Sequence, residues 1–345
     1  MSSVEATAVL EKTLTRKHLR QRILFTLGVT LLALFLISLL LGRYPAPGLM
    51  TLHEFQETEL ARRLVLNLRL PRLLTALLVG ASLAASGMVF QVLFSNPLVE
   101  PGFLGVSQGA AFGAALTIVL LGGTAALIQG MAVVFALVGL GASYFLARRI
   151  RYGGWVLRLV LAGIAVSALF SAGLGVLKYM ADPLRQLPEI TFWLLGGLYS
   201  VTWKQFFSIF PAVLVSLLIL LLFRWRLNLL ALHEQTAFAL GISPKQERLL
   251  LLTVAVIPTA AVISVAGMVG WVGLIMPHVA RRLFGSDTRF ALPASMLLGG
   301  MFTILCDNLA RTLLAGEIPL GILTALLGAT LFLILMISHG IKIER

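Results

Sequence analysis

Apolar runs close to 20 residues long recur from one end of this 345-residue chain to the other. A helix of that length matches the hydrocarbon thickness of a bilayer, and inside lipid a helix satisfies its own backbone hydrogen bonds. The chain is therefore expected to be an all-α polytopic membrane protein. A closed β-barrel would show short alternating segments instead. Ten transmembrane spans are expected, at about 23–41, 71–94, 103–121, 125–147, 159–180, 206–223, 249–266, 271–279, 293–313 and 319–338. The seventh should kink at Pro258. Residues 52–66 read as an amphipathic helix between the first two spans. A turn over 182–188 precedes a short helix over 192–200, whose end falls at Thr202–Gln205.

Charge then orients the spans. The net charge is +13 although only 12% of residues are charged. In a polytopic protein such an excess reports topology first, because cytoplasmic loops collect Lys and Arg. Lys12, Arg16, Lys17, Arg20 and Arg22 precede the first span, and Lys342 and Arg345 follow the last, so both termini are expected in the cytoplasm. A lipid bilayer, and no nucleic acid, is the expected surrounding. Residues 1–22 form the N-terminal segment, 23–340 one transmembrane domain and 341–345 a tail. No cleavage pattern follows the first apolar run, so it is read as a retained span and not a signal peptide. The single cysteine, Cys306, excludes an intrachain disulfide framework. Arg62, Arg63, Arg69 and Arg72 break the rule by clustering on the expected outer side, which invites an acidic partner there.

One polar stretch, Leu227–Arg248, is too hydrophilic to cross a bilayer. His233–Leu240 can form about two turns, and Gly241 is a natural C-terminal stop. Ser243, Pro244 and Gln246 then read as an N-cap, a first helical position and a capping-box partner. Such a stretch suits a docking surface for a soluble partner, and equally an ordinary loop.

Covalent chemistry has no foothold. There is no HExxH, no paired-carboxylate or nucleophile–base arrangement, and no GxxxxGK[ST] phosphate loop. His278 beside Pro277 has no second His, Cys or carboxylate at ligand spacing and is read as structural, so no metal site is expected. An ion-coupled secondary transporter would need buried ionisable groups at mid-membrane, and Asp307 is the one carboxylate well inside a span, with Arg311 four residues on.

Two motif blocks carry a family resemblance. The first is Arg69-Leu-Pro-Arg72, Gly80-Ala-Ser-Leu-Ala-Ala-Ser-Gly87, Gln91, Asn96-Pro97-Leu98, Glu100-Pro101, Leu104-Gly105 and Gly109-Ala110. The second runs from Gly270 through Pro277-His278 to Arg281, then Gly285-Ser-Asp-Thr-Arg289, Leu292-Pro293, Asp307, Ala310-Arg311 and Glu317-Ile-Pro-Leu-Gly321. Together they resemble the permease subunit of type II ATP-binding-cassette importers, of the FecCD/vitamin B12 type, over about residues 20–340. Such permeases import ferric siderophores, haem, cobalamin or molybdate across a prokaryotic cytoplasmic membrane. Their fold has ten spans per subunit. The resemblance implies a second copy or a close paralogue, two separate ATPase subunits that bind ATP and Mg, and an extracytoplasmic binding protein. No cofactor is implied in this chain. A metal chelate, ferric siderophore or haem, is the expected cargo, with cobalamin as the alternative.

Residue roles follow the same resemblance. Coupling helices are expected at about 229–245, with Glu234 and Gln235 as polar contacts, Phe238, Ala239 and Leu240 as the apolar face and Gly241 as the turn. Arg69, Arg72 and Arg311 match the outer docking arginines. Lipid-headgroup anchoring, or for Arg311 an internal pair with Asp307, would account for them as well. Gly80, Ala84, Gly87, Gly109 and Gly113 read as close-packing positions. Met88 and Gln91 are candidates to line the path. Gly267, Gly270, Gly273 and Pro277 suit either a moving gate or tight packing.

Overall fold

The computed structural model describes residues 3–44 and 48–338. The expected tail, with Lys342 and Arg345, and Pro45 and Pro47 lie outside the described residues. The chain is helical almost throughout. Helix α1 (Ser3–Leu40) carries the first span without a break from the basic segment before it. Leu41–Gly42 and Gly48–Leu49 pair as a two-residue antiparallel ribbon. Then come α2 (Leu52–Glu57) and α3 (Glu59–Leu64), in place of one amphipathic helix over 52–66. Thr51 caps α2 in a reciprocal capping box with Glu54.

The second span does not start at Pro71. Helix α3 continues through a π-turn (Val65–Arg69) into α4 (Leu70–Leu93), giving one helical stretch over Glu59–Leu93. The π-turn leaves a backbone carbonyl out of register ahead of Pro71, which is where a proline ring can be tolerated. A short 3₁₀ turn (Pro101–Leu104) leads to α5 (Val106–Leu120), followed by α6 (Ala125–Arg149) and α7 (Trp155–Met180).

The next short helix, α8, spans Gln186–Leu195 and so lies earlier than the expected 192–200. The Asp182 carboxylate accepts the backbone N–H groups of Leu184 and Arg185, and that turn starts the helix early. Thr202 and Gln205 do not end a helix. They form the capping box that opens α9 (Trp203–Leu222).

Helices α10 (Arg224–Leu230) and α11 (Glu234–Ala239) lead to α12 (Pro244–Ala266), with Pro258 inside it. Ser243 is the N-cap of α12, but its side chain makes no cap bond, so the expected capping box is absent. The eighth span, α13, runs from Val272 to Phe284, longer than expected; α14 (Thr288–Thr312) and α15 (Leu320–Ser338) follow.

Among the described residues eight helical stretches are long and apolar enough to cross a membrane, α5 is a shorter apolar helix, and α13 occupies the place of the remaining expected span. Burial ranks them. The stretch containing α4 is 83% buried across its most apolar window, against 6% for α1. Helix α4 is thus the centre of the bundle and α1 its exposed edge. The centre packs through small residues. A side chain on Gly80 would strike the carbonyl of Gly299 in α14, and one on Gly87 that of Gly273 in α13. Ser295 donates to the Ala84 carbonyl and Thr303 to that of Ala76, so α14 is also hydrogen-bonded along α4. Gly109 and Gly113 of α5 meet backbone carbonyls of α6 in the same way.

Candidate functional site

The polar stretch folds as two short helices with a sharp turn between α11 and α12. Gly241 has φ +83°. Its N–H donates to the Phe238 carbonyl, and Ile242 N–H donates to that of Ala237. This is a Schellman termination, and the left-handed residue in it favours glycine. Ala237 is buried under α11, whereas Phe238 and Leu240 are 71% and 56% exposed. Beside them a surface pocket of about 520 Å³ is lined by Glu234, Gln235, Phe238, Ser243, Pro244, Lys245 and Gln246. Ala239 is exposed on the same ledge. The expected coupling residues therefore share one solvent-facing shelf, with Phe238 and Leu240 as its exposed apolar part and Glu234 and Gln235 as its polar part.

The shelf is fastened to the bundle. Arg226 of α10 pairs with Glu247 of α12 at 2.7 Å. Asn228 of α10 donates to Asp287 at 2.9 Å and accepts from the Thr288 N–H, so α10 grips the first turn of α14. Burial would raise the Asp287 carboxyl, but hydrogen bonds from Arg289 and Asn228 and the Arg289 charge outweigh it and hold it at about 2.

At the far end of α14 the three expected docking arginines turn inward. Arg69 is 9% exposed and donates to the carbonyls of Leu39, Leu40 and Tyr44. Arg311, also 9% exposed, donates to those of Ser38 and Leu41 and to Asn308. Four of these carbonyls end α1 or directly follow it, where a helix leaves acceptors unpaired and favours cations. Arg72 bridges Asp307 and Glu317, each at 2.8 Å. Asp307 also lies 3.7 Å from Arg311, the internal pair that its spacing allowed. Arg69 does not precede a helix start, since the helix runs through it. A cavity of about 440 Å³ opens beside Arg72 and Glu317, with Glu189, Phe192 and Tyr199 on its wall.

Met88 and Gln91 face no open space within the protomer. Both are buried between α4 and α13. Gln91 donates to the carbonyls of Gly273 and Leu274 and accepts from Arg281, whose guanidinium also lies 3.3 Å from the Met88 sulfur. In this conformation that face of α4 packs against α13. His278 lies 3.0 Å from the Leu274 carbonyl and edge-on to Phe332.

Residues 30–338 match the model of the FecCD transport family. The chain belongs to the FecCD transport family. It is 40% identical to the molybdate import permease MolB of Haemophilus influenzae, covering 91% of this chain and 95% of that one. It is 41% identical to the hemin transport permease HmuU of Yersinia pestis (79% and 82% covered). It is 37% identical to the cobalamin import permease BtuC of Halobacterium salinarum (87% and 82%). A solved metal-chelate-type ABC transporter in an inward-facing conformation superposes with a TM-score of 0.86 at 38% identity, covering 92% of this chain and all of that one. The FecCD chain is thus a transporter permease subunit with the type II importer fold, not an enzyme.

Glu317, Asn228 and Arg281 make contacts that the sequence pattern does not reveal. Glu317 and Arg281 stand inside the motif blocks. Their partners are far away in sequence, Arg72 being 245 positions from Glu317, so spacing alone carries no signal of the pairing.

Proposed function

We propose that this chain is the permease subunit of an ATP-driven importer that moves a metal chelate, a ferric siderophore or haem, delivered by an extracytoplasmic binding protein. The observation that carries the reading is the exposed Phe238–Leu240 shelf, closed by the Gly241 turn and tied through Asn228 to α14. A soluble ATPase pressing on this shelf would move α14, and α14 runs along α4 to the Arg72 end. ATP and Mg belong to two partner ATPase subunits; the permease pairs with a second copy or a paralogue. The shelf then faces the cytoplasm and the Arg72 end faces outward, in a prokaryotic cytoplasmic membrane. Binding-protein docking is assigned to that outer end, where Arg72 reaches the half-exposed Glu317. The iron-chelate, hemin and cobalamin names among the relatives support a chelate cargo. Molybdate, the cargo named for another relative, is the second reading.

Co-expression with the neighbouring open reading frames and extraction in mild detergent tests this directly. A stoichiometric ATPase should accompany the permease, and ATP should drive chelate uptake in proteoliposomes. Uptake that collapses with the ion gradient and ignores ATP would replace the reading with an ion-coupled transporter.

A further inference from the structure

A cavity of about 340 Å³ lies where two helix breaks meet. One break is the 3₁₀ turn and Gly105 (φ +76°) ahead of α5. The other is the unwound stretch between α12 and α13, which ends at Trp271, a non-glycine residue at φ +71°. Unwound backbone among membrane spans is stable where it is packed in protein or lines a cavity, and such breaks commonly bound transport sites. Here Gly270 of the unwound stretch forms part of the cavity wall.

The polar groups of this cavity are Glu100, Ser107 and Gln108 from the α4–α5 side, Ser167 from α7 and Thr259 from α12. Phe103 and Ile164, both on its wall, are 41% and 52% exposed, so the cavity opens on that side of the protomer. Among the described residues no hydrogen bond or ion pair reaches the Glu100 carboxylate, and no Lys, Arg or His lines the wall. Burial with no compensating partner pushes the Glu100 carboxyl above its ordinary value, so a cation or hydrogen-bond donor entering the cavity would be what stabilises its charged form. The volume exceeds what a bare ion needs and falls in the lower range for small-molecule pockets, which are mostly apolar with a few placed polar groups.

We propose that this cavity receives the cationic or hydrogen-bond-donating face of the cargo during its passage, with Glu100 as the acceptor, and so disfavours oxyanion cargo. The proposal rests on the metal-chelate reading for the identity of the cargo, whereas the charge selection is a property of the cavity itself.

The test separates the two. In a Cys306→Ala background, a single Ser107→Cys or Ser167→Cys permease in nanodiscs is treated with methanethiosulfonates of similar size, one cationic and one anionic. The cationic reagent should react about tenfold faster, through local enrichment by the carboxylate. Adding Glu100→Gln, which keeps the volume, should bring the two rates together. Equal rates at both cysteines, a ratio indifferent to Glu100→Gln, or no reaction at either position overturns the proposal. In proteoliposomes of the full importer, Glu100→Gln should lower ATP-driven uptake of a ferric hydroxamate, hemin or cobalamin probe several-fold. Unchanged uptake, or wild-type uptake of molybdate, overturns the cargo role. If the wild type moves none of the chelates, the metal-chelate reading fails, and the reagent ratio still decides the cavity.

Discussion

Arg72 and Asp307 stand 235 positions apart and meet at 2.8 Å, with Asp307 wholly inaccessible to solvent. The pair joins α4, the centre of the bundle, to the end of α14 in a place that water does not screen. Removing one member of such a pair leaves a buried charge, which costs roughly 3–5 kcal/mol. Asp307→Asn should therefore lower the thermal stability of the detergent-purified protein sharply. The double variant Arg72→Met/Asp307→Leu should lose less than the sum of the singles, a coupling of about 1 kcal/mol or more. Additive losses would mean that the pair is not a unit.

Arg69 makes a separate prediction. Its guanidinium holds carbonyls at the end of α1, so Arg69→Ala should strand buried acceptors at a cost of roughly 1–3 kcal/mol. Arg69→Glu should fare worse, because a carboxylate cannot donate to carbonyls. Both should appear as reduced melting temperature without a binding protein present. A variant of wild-type stability that loses only binding-protein affinity would return Arg69 to a docking role.

Gly241 sits in a position that costs an L-residue about 1–2 kcal/mol, and its N–H is used by Phe238. Gly241→Pro removes both the left-handed geometry and the donor. The turn is exposed, so the protein should still enter the membrane and survive purification. ATP hydrolysis by the assembled importer should continue while uptake is lost. Normal uptake by this variant would sink the coupling assignment.

How legible this was depended on range. The apolar period located the spans because a bilayer imposes one length on each of them. Gly241 was legible for a local reason, since helix termination is written within a few residues. The small residues at 80, 84 and 87 also pointed correctly to close packing. Errors arose where local grammar met a tertiary preference. Pro71 read as a helix start, yet a π-turn carries the helix through it. Thr202–Gln205 read as an end, although the same two residues spell a capping box. Ser243 and Gln246 spelled one that does not form. The inward contacts of Arg69, Arg72 and Arg311 were not legible, because their acceptors are backbone carbonyls at and just beyond the end of α1 and acids on α14 and beyond, groups that local spacing cannot reveal. The contacts of Met88 and Gln91 were hidden for the same reason, their partner Arg281 lying on a helix far along the chain.

Packing at the centre gives a paired prediction. Gly80 has the Gly299 backbone against it, whereas Gly130 in α6 has nothing within 4 Å. Gly80→Ala should force α4 and α14 apart and cost about 1–3 kcal/mol. Gly130→Ala should be neutral or stabilising by up to about 1 kcal/mol, through helix propensity. Comparable melting temperatures for the two variants would contradict the packing account.

The start of α14 should respond to acid. The Asp287 carboxyl is held at about 2, below the ordinary aspartate value near 4. A group depressed in the folded state stabilises it above the unfolded pKa, and loses that contribution as pH falls through the folded one. The grip of Asn228 and Arg289 on Asp287 should therefore be intact at neutral pH and decline between about pH 4 and 2. Asp287→Asn should remove that part of the pH dependence and lower stability at pH 7, because Arg289 and Arg20 lose their shared acceptor. Melting temperatures of both proteins across this window provide the check. If the two curves stay parallel from pH 5 to 2, Asp287 does not fasten α14 to the shelf. The coupling route through Asn228 would then rest on the Thr288 contacts alone.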